Sequence, residues 1–263
     1  MKRIVAIADL HCGSKAGLTP PSWHYGVPED AHWPVRKAAD FRARQWEFYA
    51  ATIAALQPID RLLVLGDAID GKQVKDEGID LIVNDRQEQV RMAVDCIELC
   101  RAVKVAFVYG SGYHTGNRED WENDVAEKFG GDIGAEQDIK IQPSGIVFNC
   151  KHFIGNTNSP ASRFTALSGE QIRQLLWAET GQQPKADVIL RAHIHRYAHA
   201  EEDGWSAWVC PPLQGLGGRI ARKRSGLPLS YGLLHFDVED NGDYTWHKHL
   251  QPLALQAGRI LEW

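Results

Sequence analysis

The sequence predicts an α/β fold, on three observations. Short apolar runs rich in β-branched residues recur along the chain, each giving way to polar residues and glycine, as buried strands do when they open into loops. They are Ile4 to Ala8, Leu62 to Leu65, Val103 to Tyr109, Ile146 to Asn149 and Val188 to Leu190. Helix-length stretches alternate with them: Ala39 to Leu56, Gln87 to Arg101, Trp121 to Phe129, and Leu167 to Glu179 with Ser168 as its expected N-cap. Alternation of this kind is the signature of α/β architecture. No Pro/Gly/Ser linker, repeat or low-complexity tract interrupts the chain, so residues 1–263 are expected to form a single domain.

The last third changes character. Trp205 to Val209, Leu233 to Val238 and Tyr244 to Leu250 read as antiparallel strands, with D-N-G-D at 240–243 as a hairpin turn, and they imply a second sheet. Residues 12–38 are rich in Pro, Gly, Trp and His without periodicity and read as a long ordered loop beside the first strand, a feature that compact domains usually reserve for function.

Composition narrows the class. With 44% apolar and 24% charged residues, the chain is globular rather than collagen-like or disordered. Its net charge of -5 provides no global field toward nucleic acid or an anionic membrane, so any affinity for phosphate is local. The apolar run at the N-terminus is too short for a signal peptide, and no stretch approaches a membrane span. Cys12, Cys96, Cys100, Cys150 and Cys210 are odd in number and form no C-x-x-C pair. Cys96 and Cys100, one helical turn apart, are expected to share a buried helix face rather than a metal. A soluble protein of a reducing compartment follows.

The chemistry sits at strand ends. Asp9 and His11 follow the first run two positions apart, so one face presents both. Gly66-Asp67 and then Asp70 follow the second run, where the glycine permits a tight turn. Gly110-Ser111-Gly112-Tyr113-His114 ends the third, His152 follows the fourth, and His193-x-His195 follows the fifth. Two decoys calibrate these motifs. Asp30-x-His32 has no strand before it, and His247-x-His249 lies within a late antiparallel strand, where a solvated sheet face is the ordinary expectation. Position at the carboxyl end of a buried strand, where α/β sheets place their sites, separates motif from decoy. Three Asp and five His without cysteine are too many ligands for one tetrahedral zinc, and they suit two metals sharing a carboxylate.

The ordered set resembles the calcineurin-like metallophosphoesterase superfamily, whose pattern is D-x-H, G-D-x-x-D, G-N-H-[DE], a later His, and G-H-x-H. The resemblance covers residues 4–195. It implies a four-layer αββα sandwich of two mixed sheets with a dinuclear site at their edge. It further implies Asp9, His11 and His195 on one metal, His152 and His193 on the other, and Asp67 as the bridge. His114 would stabilise the transition state or protonate the leaving oxygen, with Asp70 orienting it.

Two departures from the pattern stand out. The third motif lacks the Asn that ligates the second metal: Tyr113 precedes His114 and Thr115 replaces the acid. Either His114 itself ligates, or Asn117, a water or a backbone carbonyl completes the shell. Ala192 stands where Gly is usual. The G-[ST]-x-x-H version resembles phage-encoded members, which implies a phage-type source and a location in the host cytoplasm.

The implied activity is hydrolysis of a phosphate ester by a bridging hydroxide between two divalent ions, Mn²⁺ first, with Fe or Zn²⁺ as alternatives. A basic stretch at 217–226 contributes Arg219, Arg222, Lys223 and Arg224 and favours a phosphodiesterase or nuclease acting on DNA, RNA or a nucleotide. Trp23, His24, Tyr25, Trp33, Arg163 and Phe164 are candidates to stack a base or wall the cleft. A phosphomonoesterase, including a protein phosphatase, and a non-catalytic binding module on the same fold are the alternatives.

Overall fold

The computed structural model describes residues 1–73, 77–115, 120–155, 164–215 and 230–253. The first sheet is built from β1 (Lys2–Ile7), β2 (Arg61–Val64), β3 (Lys104–Val108), β4 (Ile133–Gly134), β10 (Ser230–Val238) and β11 (Tyr244–Pro252), in the order β11-β10-β1-β2-β3-β4. The second is built from β5 (Gln137–Lys140), β6 (Val147–Cys150), β7 (Val188–Arg191), β8 (Ala198–Glu202) and β9 (Trp205–Val209), in the order β5-β6-β7-β9-β8. Both sheets are mixed. β1 runs parallel to β2 and antiparallel to β10, and β7 runs parallel to β6 and β9 while β8 is antiparallel to β9.

The helices are α1 (Trp33–Ala55), α2 (Arg86–Glu98), α3 (Gly112–Thr115), α4 (Glu122–Lys128) and α5 (Thr165–Glu179). Strand alternation sorts the core into three interfaces, because successive side chains leave opposite faces. Val5, Ile7, Leu62 and Val64 pack with Tyr49 and Ile53 of α1 and Ala93 and Ile97 of α2. Ile4, Ala6, Leu63 and Phe236 face Phe148, Cys150, Leu190 and Trp208 of the other sheet. Ile189, Ala207 and Val209 pack against Leu167 of α5. Helix on sheet, sheet on sheet and sheet on helix make four layers, αββα.

The parallel strands matter most for the site. β1, β2 and β3 end side by side in one sheet, and β6 and β7 in the other, so five strand ends open into loops that share one edge. The turn at 240–243 closes the β10–β11 hairpin through Glu239 N–H donating to the Asp243 carbonyl.

Three expectations are corrected. The late strands do not form a sheet of their own: β10 and β11 extend the first sheet beside β1, and only β9 joins the second. Ser168 lies inside α5 rather than capping it; the cap position is Phe164, and the Ser168 hydroxyl reaches back to the Phe164 carbonyl. The long first loop ends at 32, since α1 begins at Trp33 with Pro34 in its first turn, where a proline lacks no bond the helix needs. β4, β5 and β8 are too short or too polar to register as strands in the sequence.

All five cysteines are free and buried, Cys96 and Cys100 both against the first core. Among the described residues no helix is long and apolar enough to cross a membrane.

Candidate metal centre

All eight Asp and His residues singled out at strand ends converge. Asp9 and His11 follow β1, Asp67 and Asp70 follow β2, His114 follows β3, His152 follows β6, and His193 and His195 follow β7. Asp9, His11, Asp67, Asp70 and His152 are essentially buried. The backbone is bent to aim them: Asp9, His11, Asp67, His193 and His195 all have φ between 47° and 73°. Left-handed backbone costs a non-glycine residue roughly 1–3 kcal/mol, and it persists only where the surroundings enforce it. Strand-end hydrogen bonds supply that enforcement, with Asp9 N–H donating to the Gly66 carbonyl at 3.1 Å and His11 N–H to the Asp67 carbonyl at 2.9 Å.

Two glycines let the loops touch. A Cβ on Gly110 would collide with Asp67, and one on Gly71 would collide with the His114 carbonyl. Either side chain would push one strand-end loop off its neighbour.

Three groups of side chains bring ligand atoms within 4.8 Å of one another: Asp9 with His11 and His195, Asp67 with His152 and His193, and His11 with Asp67 and His114. Asp67 belongs to the last two. Its Oδ2 lies 3.1 Å from His152 Nε2 and 3.9 Å from His11 Nε2. His195 Nε2 lies 3.1 Å from Asp9 Oδ1. His11 Nε2 and His195 Nε2 face each other at 3.2 Å, and His193 Nδ1 and His152 Nε2 at 3.3 Å.

Outer partners set which nitrogen faces inward. His152 Nδ1 donates to the Leu65 carbonyl at 2.7 Å, leaving Nε2 for Asp67. His11 Nδ1 lies 2.9 Å from Asp70 Oδ1, leaving Nε2 for the pocket. Such second partners are what orient histidines that hold metals. Asp70 thus orients two rings rather than one, since His114 Nδ1 is 3.3 Å from the same oxygen and 2.9 Å from the Asp70 carbonyl. Gln73 Nε2 donates to the other carboxylate oxygen.

The buried carboxylates and imidazoles set one another's charge. Burial pushes the carboxyls of Asp9 and Asp67 up, yet the facing imidazoles outweigh it and hold both below the usual range. Asp70 is likewise pushed up by burial and pulled down by its bonds to His11 and His114, to about 2. The imidazoles respond in kind. Burial lowers His152 and His114, but Asp67 raises His152 to about 10, and the hydrogen bond to Asp70 with the charges of Asp67 and Asp70 raises His114 to about 9. Burial and the neighbouring imidazoles His114 and His152 push His11 and His193 down, respectively, which keeps their lone pairs available. Asp9 Oδ1 is buried without a hydrogen-bond donor in suitable geometry. Converging ring nitrogens and carboxylate oxygens, a mixed donor set, fit divalent cations.

Two contributors carry no motif. Ser111 stands beside Asp67 where the resemblance expects Asn: its N–H donates to Oδ1 at 2.6 Å and its hydroxyl lies 3.0–3.1 Å from both oxygens. Glu122, from α4, accepts the N–H of Ala68 at 2.7 Å and of Gly110 at 2.6 Å, tying the loop of Asp67 to that of Ser111. Burial, with the Asp67 charge, raises Glu122 to about 8. The G-S pair after β3 was the only hint of Ser111; a glutamate on an unremarkable helix gave none.

Other expected contributors fall elsewhere. Trp23 packs against the first core with its Nε1 donating to Glu88 of α2, and a His24 ring nitrogen pairs with the Thr19 carbonyl of its own loop. Tyr25 and Phe164 are exposed. Asn117, Arg163, Arg219, Arg222, Lys223, Arg224 and the side chain of Trp33 lie outside the described residues.

No protein-family model and no curated protein matches the chain. Among solved structures, it is similar to an archaeal phosphodiesterase (14% identity, 94% of this chain and 99% of that one covered, TM-score 0.44). It is also similar to Vps29 of Chaetomium thermophilum (13%, 96% and 99%, TM-score 0.47) and to a predicted phosphoesterase of Streptococcus pneumoniae (9%, 94% and 98%, TM-score 0.38). In its αββα layering and in the order in which its strand ends deliver Asp and His, the chain resembles the calcineurin-like metallophosphoesterases.

Proposed function

We propose that this chain is a metal-dependent phosphodiesterase that hydrolyses esters of nucleic acid or nucleotides. Asp67 carries the reading, because one carboxylate faces His152 at 3.1 Å and His11 at 3.9 Å and so belongs to both imidazole sets. Asp9, His11 and His195 would hold one cation, His152 and His193 a second, and Asp67 both. Mn²⁺ suits this donor set, as do Fe and Zn²⁺. When bound, a pair of divalent ions supplies an acidified water and positive charge for the phosphoryl oxygens.

The remaining work falls to the chain. Asp70 fixes His114 through Nδ1, which leaves Nε2 as the atom that gives its proton to the departing oxygen. The bond to Asp70 favours the protonated ring. Ser111 holds the Asp67 carboxylate in its orientation through two donors. The basic stretch with Arg219, Arg222 and Arg224 precedes β10 and supports a polyanionic substrate on sequence grounds.

The test is turnover with Mn²⁺ on bis-p-nitrophenyl phosphate, p-nitrophenyl phosphate, and single- and double-stranded DNA, with the diester and a DNA expected to be cleaved. Activity on the monoester alone would make the protein a phosphomonoesterase, and no turnover with any metal would leave a binding module. His114→Ala should lose about 10²–10⁴-fold in kcat while the protein keeps at least one bound metal, measured by plasma emission. An unchanged kcat would remove His114 from the reaction.

A further inference from the structure

The chain K-H-F-I-G after β6 alternates inward and outward: His152 and Ile154 are buried, while Phe153 between them is 56% exposed. An exposed phenylalanine is unremarkable on its own. This one is placed by the site. Its backbone is fixed on one side by His152, whose ring nitrogen donates to the Leu65 carbonyl and whose own carbonyl accepts Ala192 N–H at 2.9 Å. Its ring leans on His193, with centroids 4.8 Å apart and planes at 38°. One part of the ring is therefore backed by a candidate ligand of the pocket, and the rest is open to solvent at the pocket's lip.

We propose that Phe153 forms, with His193 behind it, a stacking subsite for the planar base of the substrate. The inference rests on the phosphodiesterase reading of the same pocket and deepens it by naming what lies beyond the phosphate. A phosphoryl group seated among Asp9, Asp67, His152 and His193 would have this ring as its neighbour across His193. Phenyl offers a flat face and no hydrogen-bond donor or acceptor, so it grips any base by its π-face without reading its edges. Of the residues that the sequence offered for this role, Trp23 donates to Glu88 of α2 and His24 pairs with the Thr19 carbonyl.

The experiment compares two ligands that share sugar and phosphate and differ only in the base: thymidine 5'-monophosphate and 2-deoxyribose 5-phosphate. Calorimetric titration of the Mn²⁺-loaded protein should give the nucleotide an advantage of roughly 5- to 150-fold in Kd, the range of one base stacked on one aromatic ring. Phe153→Ala should erase that advantage and leave the sugar phosphate unaffected, and Phe153→Trp should keep it. Equal affinities in the parent protein, a parallel loss for both ligands in Phe153→Ala, or binding of neither ligand would overturn the subsite. Failure of the phosphodiesterase reading would be seen separately, as absence of diester turnover, which this titration does not use.

Discussion

The molecule gathers histidines in two places, and among the described residues one of them brings together groups that could hold a cation. At the strand ends, five histidines meet three buried aspartates. On the face of the β10–β11 hairpin, His235 stands across from His247 in register and beside His249, with one ring nitrogen of His235 and one of His249 sharing a proton at 2.8 Å. The His235 and His247 rings stack at 4.8 Å. The hairpin's carboxylate is already claimed, since both oxygens of Asp237 accept from Arg3 at 2.8 and 3.0 Å. Burial and the neighbouring His249 push His235 down to about 4, whereas aspartates pull His114 and His152 up.

The backbones differ as well. The hairpin histidines ride an ordinary pleat, which spaces side chains evenly, while five residues of the strand-end pocket sit in left-handed turns that fold donors onto one another. Among the described residues, only the strand-end pocket brings three such donors within 4.8 Å. Buried carboxylates facing imidazoles rather than a guanidinium, together with a bent backbone, make the ligand set.

The widest gap between the regions should appear on paired substitution. Asp67→Ala should strip metal from the protein and abolish hydrolysis, while His249→Ala should leave metal content and turnover at the parent level. Loss of metal from the His249 variant, by plasma emission, would erase the contrast.

A narrower gap separates the two orienting carboxylates. Asp70→Asn weakens the grip on both His11 and His114 and should cost about 10- to 100-fold in metal affinity or activity. Asp237→Asn should leave both unchanged and cost on the order of 1 kcal/mol of stability through its ion pair with Arg3. Denaturant unfolding and metal titration on the same two variants resolve the difference.

The smallest effect is one of pH. Because His235 is depressed from 6.5 to about 4 in the fold, the unfolded chain binds the extra proton across that window. Stability from this group is therefore complete above about pH 6.5, falls as pH drops through the window, and levels below about pH 4. The neighbours that set this depression are His249, His247 and Arg3, opposed by Asp237. Urea midpoints at several pH values should decline less steeply for His235→Asn than for the parent; identical slopes would show that the hairpin cluster does not titrate as its contacts require.

Much of the fold was legible because burial on both faces leaves a mark in the sequence. The runs at Ile4, Leu62, Val103, Ile146 and Val188 lie within a residue or two of β1, β2, β3, β6 and β7. β5, with Q-D-I-K half exposed, and the two-residue β4 leave no such mark. Sheet membership was not legible either. β10 pairs with β1 across more than two hundred residues, and a hairpin reads the same whichever sheet it joins.

At the site, the residues that sequence could name were those with a type and a spacing. Ser111 acts through geometry that any small polar residue would share in sequence, Glu122 reaches its two N–H partners from α4, and Phe153 meets the His193 ring only in the fold.

The order of Asp and His at the ends of apolar runs was thus settled by the sequence itself, since strand burial and side-chain alternation are local properties. Which carboxylate stands between the two imidazole sets, which ring nitrogen points inward and which histidine cluster stays proton-bridged were decided by the tertiary structure. Those outcomes depend on distances of a few ångströms between residues far apart in the chain, and on whether a cation such as Arg3 has already claimed the nearest carboxylate.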